Sequence, residues 1–293
     1  MRRLPKRVRS LRQSIRDMGL PGVEWLNGRG EALAYEWAAR ADADRFAEVE
    51  RFCLFVGFPR SGGSLTGAML DAHPDMIIAN EANGLGQLDQ GASRAVLFNQ
   101  ILRTDRAFAA RGFVQADDVY EIPGQWQGRV RRLRVIGDKN GGRASLLLAS
   151  KPDILDRLRT VVAVPLRVMV VVRNPFDNVA RMATRGNLTL LTAAANYERM
   201  ALAVDAALTD LHPGEALVVR HEETVADPES ALVRMAEHLG VDPLDDWVKA
   251  SASIVLPSPR TARGAVEWTD GCRAVVADMT ERFEFLAGYT FDD

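Results

Sequence analysis

The sequence predicts an α/β fold, a P-loop-like central parallel sheet flanked by helices on both faces. Three observations carry that prediction. A short apolar run, Phe52–Val56, ends in Gly57 and passes through a loop of small residues into a helical segment, Ser64–Ala72. The run Val168–Val172 is continuously apolar, as in parallel strands buried on both faces. Strand-length apolar runs also alternate with longer segments of helical character, the pattern of a parallel sheet covered by its crossover helices.

Taken in order, the chain begins with an unusual segment. Arg2, Arg3, Lys6, Arg7, Arg9, Arg12 and Arg16 are opposed only by Asp17, while Leu4, Val8, Leu11, Ile15 and Met18 recur at helical spacing. Residues 1–18 therefore read as a basic amphipathic helix, suited either to packing on its own domain or to contact with an anionic membrane or acidic partner. Pro21-Gly22 break the chain, and Gly30–Glu50 read as a second helix. Residues 1–50 are expected to form a helical extension and residues 51–293 the α/β domain. After the first strand, loop and helix comes a polar, Gly-rich piece, Asn83–Gln87, then a helix to about Arg111. Gly112–Gln127 carry no period and are expected to cover the site or to form a plain surface loop.

Leu133–Gly137 reads as the next strand, followed by Asp138-Lys139-Asn140-Gly141-Gly142 and a helix over Ala144–Ser150. Arg167–Val172 is the clearest strand. Pro175 sits where proline suits a helix start, and Thr189–Leu211 form a long alanine-rich helix. Ala216–Glu222 read as strand and turn, Asp227-Pro228 open a helix to Gly240, and Asp270–Tyr289 form the last helix, anchored by Trp268.

Composition bounds the class. At 293 residues with 47% apolar and 26% charged residues, the chain suits one sizeable soluble domain. A net charge of −2 gives no reason to expect a nucleic-acid partner. Cys53 and Cys272 are too few for a disulfide framework or a metal site and are expected as free thiols. No apolar run approaches the ~18–20 residues of a membrane span, and the N-terminus lacks the apolar core of a signal peptide. A cytoplasmic location is the expectation.

The chemistry is concentrated in the first loop. A strand, a Gly-rich loop and a helix N-terminus together aim backbone N–H groups at an anion. Gly57, Gly62 and Ser64 fit the frame of a nucleotide-triphosphate P-loop, but Gly63 stands where that loop keeps its lysine. The cation lies inside the loop instead, at Arg60. An ATP-dependent kinase would lack the lysine its transition state leans on. Asp138, after an apolar run, does resemble a Walker-B magnesium ligand and favours the kinase reading; pairing with Lys139 or capping the following helix is its structural alternative.

Pro59-Arg60-Ser61-Gly62-Gly63-Ser64-Leu65 resembles the 5′-phosphosulfate loop of sulfotransferases that use 3′-phosphoadenosine 5′-phosphosulfate (PAPS). The longer run to Glu81, with Leu70-Asp71-Ala72-His73-Pro74-Asp75, is most similar to the tyrosylprotein sulfotransferases and their bacterial relatives. The resemblance implies Glu81 as catalytic base and Lys139 as the strand-end lysine near the transferring group. It implies Arg173 as the clamp on the 3′-phosphate, and Arg260 with Arg263-Gly264 as a basic loop closing over that phosphate. Two departures stand out. Gly63 replaces a Thr or Ser, and Arg181 falls where the family has a serine, with Arg185 one turn further. His221 stands in place of a family tyrosine, either to touch the adenine or to support the strand end. The resemblance covers roughly Phe52–Glu267. PAPS is then the donor, no metal is needed, and the acceptor is a small molecule, glycan, lipid or peptide. A homodimer is left open. Two alternatives also stand, a P-loop kinase or hydrolase and a non-catalytic binding protein on the same fold.

Overall fold

The computed structural model describes residues 43–115, 118–259 and 261–292. The helix expected over residues 1–18, with the membrane or partner contact ascribed to it, lies outside these, as does most of the segment 30–50. What is described of that segment is not a helix to Glu50. A 3-10 turn, Ala43–Phe46, is followed by Glu50, whose N–H already donates to Arg134 O at 2.8 Å. Phe46 and Val49 are buried, so core packing pulls the chain out of helix before the sheet begins.

Strand β1 (Arg51–Gly57) leads through the loop into α1 (Gly63–Asp71), β2 (Met76–Asn80), α2 (Gly84–Asp89) and α3 (Arg94–Ala109). A short antiparallel hairpin follows, β3 (Val114–Gln115) and β4 (Asp118–Val119). Then come β5 (Val135–Lys139), α4 (Gly141–Ser150), α5 (Ile154–Val162), β6 (Leu166–Val172), α6 (Pro175–Gly186) and α7 (Leu190–Asp210). The chain continues with β7 (Ala216–Arg220), α8 (His221–Ala226), α9 (Pro228–Leu239), α10 (Asp245–Ala252) and α11 (Asp270–Arg282).

The main sheet is parallel throughout, in the order β2-β5-β1-β6-β7. Its side chains alternate faces with period two. Phe52, Leu54, Val56, Ile77, Ile136, Val168, Val170 and Val172 enter one core with α2 to α7 and α11. Cys53, Phe55, Met76, Ile78, Val135, Met169, Val171 and Val219 enter the other with α1, α9 and α10. Helices therefore cover both faces, which is why these strands have no polar side. Both cysteines are free and buried. Among the described residues no helix is long and apolar enough to cross a membrane.

Three of the departures from the sequence reading bear on the site or the core. Met76–Asn80 is a strand that the reading did not assign. The polar, Gly-rich piece Asn83–Gln87, given no element in the sequence reading, enters a helix, Gly84–Asp89, where Asp138, distant in sequence, accepts from the N–H groups of Ala82 (2.8 Å) and Gly84 (2.6 Å). The last helix stops at Arg282 rather than Tyr289, since Phe283, Phe285 and Leu286 turn inward to fill the core.

Candidate active site

The carboxyl ends of β2, β5, β1, β6 and β7 open onto one pocket of about 840 Å³. In an open parallel sheet, ligands gather at that edge, where the strand order reverses direction. Here β1 is the reversal point, and the loop after it forms the pocket floor.

That loop is fixed from three sides. The Gly57 N–H donates to Ser145 Oγ (2.9 Å) on α4, and the Ser145 hydroxyl donates back to Gly57 O (2.8 Å). Asn178 Nδ2 on α6 donates to Pro59 O at 2.9 Å. Ser61 Oγ donates to Phe58 O at 2.9 Å, so the Ser61 hydroxyl serves the loop itself and its backbone N–H is what it can offer a ligand. Gly57 (φ 134°) approaches Val171 so closely that a Cβ would lie 2.8 Å from its carbonyl oxygen. Gly62 (φ 98°) is the N-cap of α1 and has no side-chain cap, so the first-turn N–H groups of Gly63, Ser64 and Leu65 have no intrahelical partner. All three residues line the pocket, as do Pro59, Arg60, Ser61 and Gly62. Arg60 is exposed and adopts a left-handed backbone (φ 69°), a strained conformation for a non-glycine residue and one common at ligand sites.

At the β2 and β5 end stand Glu81 and Lys139. Lys139 is buried, its stem lying across Gly63 and Gly67; a Cβ at Gly67 would sit 3.2 Å from Lys139 Cγ. Its Nζ donates to Glu81 Oε1 at 3.1 Å. Lys139 meets Glu81 because adjacent strands β2 and β5 pair Asn80 with Lys139. Glu81 is itself left-handed (φ 64°), with its N–H donating to Lys139 O at 2.9 Å. Burial pushes the Glu81 pKa up, but the Lys139 ammonium and a hydrogen bond from Gln115 outweigh it and hold the carboxyl below its ordinary 4.5. Burial pulls the Lys139 pKa down, against support from Glu81. Hairpin residues Gln115, Asp118, Val119 and Tyr120 wall this end, so the aperiodic insertion does cover the pocket.

Arg173, Arg181, Arg185 and His221 line the β6 and β7 end. Arg173 is only 2% exposed, yet reaches the pocket; burial lowers its pKa while Asp177 and Glu222 support the charge. His221 packs on Gly62, where any Cβ would collide with its ring. Burial and the charges of Arg173 and Arg181 push its pKa down to about 4, so it is neutral at pH 7. Val225, Ile254 and Leu256 give the same end an apolar wall.

The C-terminal loop divides. Leu256, Ser258 and Pro259 line the pocket; Arg260 lies outside the described residues. Arg263 and Gly264 are not brought to the pocket lining. The Arg263 guanidinium clasps Asp177 (Nη2 to Oδ2, 2.9 Å) and donates to Phe291 O (2.9 Å), so it staples the C-terminal loop to α6. Asp138 is fully buried and spends both carboxylate oxygens on the Ala82 and Gly84 N–H groups, which removes it as a pocket-facing metal ligand. Among the described residues no group of three or more His, Cys, Asp or Glu is placed to hold a metal. His73 is structural: its ring accepts from Asp75 N–H and meets Asp242 O.

Sequence reasoning missed Arg143, Ser145, Asn178 and Gln115. Arg143 lines the pocket near enough to Glu81 for its charge to act on it. Its position four residues after Lys139, opening a helix, was a readable signal. Nothing local marks the other three.

No curated protein matches the chain in sequence. Among solved structures, the sulfotransferase domain from the curacin biosynthetic pathway superposes with a TM-score of 0.50 at 14% identity, covering 80% of this chain and 98% of that one. Sulfotransferase STF9 from Mycobacterium avium gives 0.50 at 13% identity, covering 87% and 82%. These likenesses show the fold. The family model described as "Sulfotransferase family" matches residues 54–246, from the strand before the loop to α10, without singling out a tyrosylprotein branch. The chain belongs to the sulfotransferase family.

Proposed function

We propose that this protein transfers a sulfuryl group from PAPS to a hydroxyl or amine of an acceptor, without a metal. The observation that carries the reading is the layout of one pocket along the sheet edge. A phosphate-type loop with Arg60 stands at the centre, the Glu81–Lys139 pair at one end, and Arg173 with Arg181 and Arg185 at the other. A donor with phosphate groups at both ends of its ribose suits such an arrangement. Its 5′-phosphosulfate would take the loop N–H groups and Arg60, and its 3′-phosphate the arginines, guanidinium being the bidentate partner of phosphate. The apolar wall of Val225, Ile254 and Leu256 beside neutral His221 suits adenine.

Each residue then has a task. Sulfuryl transfer, like phosphoryl transfer, is mostly a matter of position and charge. Glu81, held ionised at neutral pH, accepts the proton of the acceptor. Arg60 and the N–H groups of α1 meet the negative charge that grows on the bridging oxygen as the sulfur–oxygen bond breaks, usually the largest catalytic contribution. Lys139 divides its ammonium between Glu81 and the transferring group. The hairpin end of the pocket, beside Glu81, is where the acceptor enters; it takes no part in holding the nucleotide.

The kinase reading loses its best support in the commitment of Asp138 to backbone N–H groups. Calorimetric titration separates the two. The protein should bind 3′-phosphoadenosine 5′-phosphate without divalent metal and more tightly than ATP with Mg²⁺. Tight Mg²⁺-ATP binding with no affinity for the bisphosphate would overturn the proposal.

A further inference from the structure

The hairpin residue Gln115 is fixed at both ends of its amide. Asn80 Nδ2 donates to Gln115 Oε1 at 3.1 Å, and Gln115 Nε2 donates to Glu81 Oε1 at 3.2 Å. An ionised carboxylate only accepts, so Glu81 takes the Gln115 NH2 and leaves the Gln115 oxygen to accept from Asn80. Lys139 Nζ donates to the same oxygen, Glu81 Oε1, at 3.1 Å. Two donors thus meet on one carboxylate oxygen, and the lone pairs of Oε2 take no part in either bond. Glu81 follows β2 with a left-handed backbone whose N–H donates to Lys139 O, which fixes where its side chain starts; the two carboxylate oxygens are equivalent, and whichever one meets Lys139 and Gln115, the other takes part in neither bond.

We infer that Gln115 is a positioning residue for Glu81. Together with Lys139 it pins Oε1 and presents Oε2 to the acceptor, which makes the pocket-walling hairpin part of the proton-accepting device. Its role acts through Glu81 and not on the reacting atoms. The inference rests on the reading of Glu81 as the base for its use, but the geometry it claims can be read without any donor or acceptor. The charged groups that bear on Glu81 are Lys139 and Asp138 from β5 and Arg143 from α4, with Arg60 of the loop acting on Lys139. Gln115 is the uncharged donor among them, so replacing it leaves the surrounding charges in place. A glutamine that merely ties the hairpin down would leave Glu81 untouched when removed.

The test is carbon-13 NMR titration of the full protein labelled at glutamate carboxyls, with Glu81 identified by loss of its signal in Glu81→Gln. Removing the donor in Gln115→Leu should raise the Glu81 midpoint by about half a unit or more, the low end for one hydrogen bond because this one is exposed to solvent. Gln115→Glu, which keeps the shape and adds a like charge, should raise it further. Amide signals of Val114 and Val119 report whether the hairpin persists. A Glu81 midpoint unchanged in both variants would overturn the inference, whether or not the hairpin stays ordered. Because no nucleotide is present, that failure is distinct from failure of the protein to bind the bisphosphate, which would sink the donor reading instead.

Discussion

Arg173 and Arg181 lie close enough for each charge to bear on the other, and Arg173 is almost wholly buried. Like charges held together in low dielectric repel strongly, and an anion between them relieves the cost. Arg181 stands where the resembled family keeps a serine, so on the proposed reading two guanidiniums would hold the 3′-phosphate in place of an arginine and a hydroxyl. If that clamp reads the 3′-phosphate, Arg181→Ala should weaken 3′-phosphoadenosine 5′-phosphate by about 10–100-fold, the loss of a charge-assisted hydrogen bond. Adenosine 5′-phosphosulfate, which lacks the 3′-phosphate, should bind the variant nearly as well as the wild type. Equal weakening of both in calorimetry would show that Arg181 does not read that group. Gly63 is the other departure, and it leaves room: a Cβ there would sit 3.6 Å from Lys139 Cδ, an ordinary contact. The missing hydroxyl of the loop is therefore not excluded by crowding.

Between elements, one pair of buried carboxyls couples α1 to α3. Asp71 and Asp105 are both buried and close enough for each carboxyl to act on the other, while Asp71 Oδ1 accepts from Ile78 N–H at 2.8 Å. Burial raises both carboxyls, Asp105 from its ordinary 3.8 to about 6, so the folded pair keeps a proton that the unfolded chain has lost. The pair accordingly favours the fold below about pH 4 and loses that advantage as pH rises through the two raised midpoints, that of Asp105 near 6 among them. Asp105→Asn removes one of the two titrating carboxyls and leaves an amide that can donate to Asp71. It should stabilise the protein by roughly 1–3 kcal/mol at pH 7.5 and by little at pH 4. An equal change in Tm at both pH values would contradict the shared-proton account. Contacts of this kind also explain which elements the sequence hid. The loop and α1 were legible because glycines and an apolar run mark them locally. Helix α2 was not, because its cap is supplied by Asp138 from β5. Arg263 read as a phosphate ligand because nothing nearby in sequence announces that Asp177 will claim it.

At the scale of the molecule, the parallel sheet does the organising. The order β2-β5-β1-β6-β7 places Glu81 and Arg173 at opposite ends of one pocket with the loop between them, although they are distant in sequence. The fold class was readable from continuous apolar strands, and the loop, Glu81, Lys139 and Arg173 were readable from the resemblance of their motifs. The supports of the site were not. Ser145, Asn178 and Gln115 are ordinary residues on ordinary elements until the sheet brings them to Gly57, Pro59 and Glu81. The central claim is that this assembly moves a sulfuryl group, and its most direct test is release of 3′-phosphoadenosine 5′-phosphate from PAPS across a pool of hydroxylated and amine compounds. The wild type should release bisphosphate in the presence of at least one compound. Glu81→Gln should lower that rate by about 10²–10⁴-fold, as expected for a positioned base, with donor affinity little changed. Arg60→Ala should damage both rate and affinity. A wild type that binds PAPS and transfers to nothing in the pool, or a Glu81→Gln variant with unchanged turnover, would contradict the account.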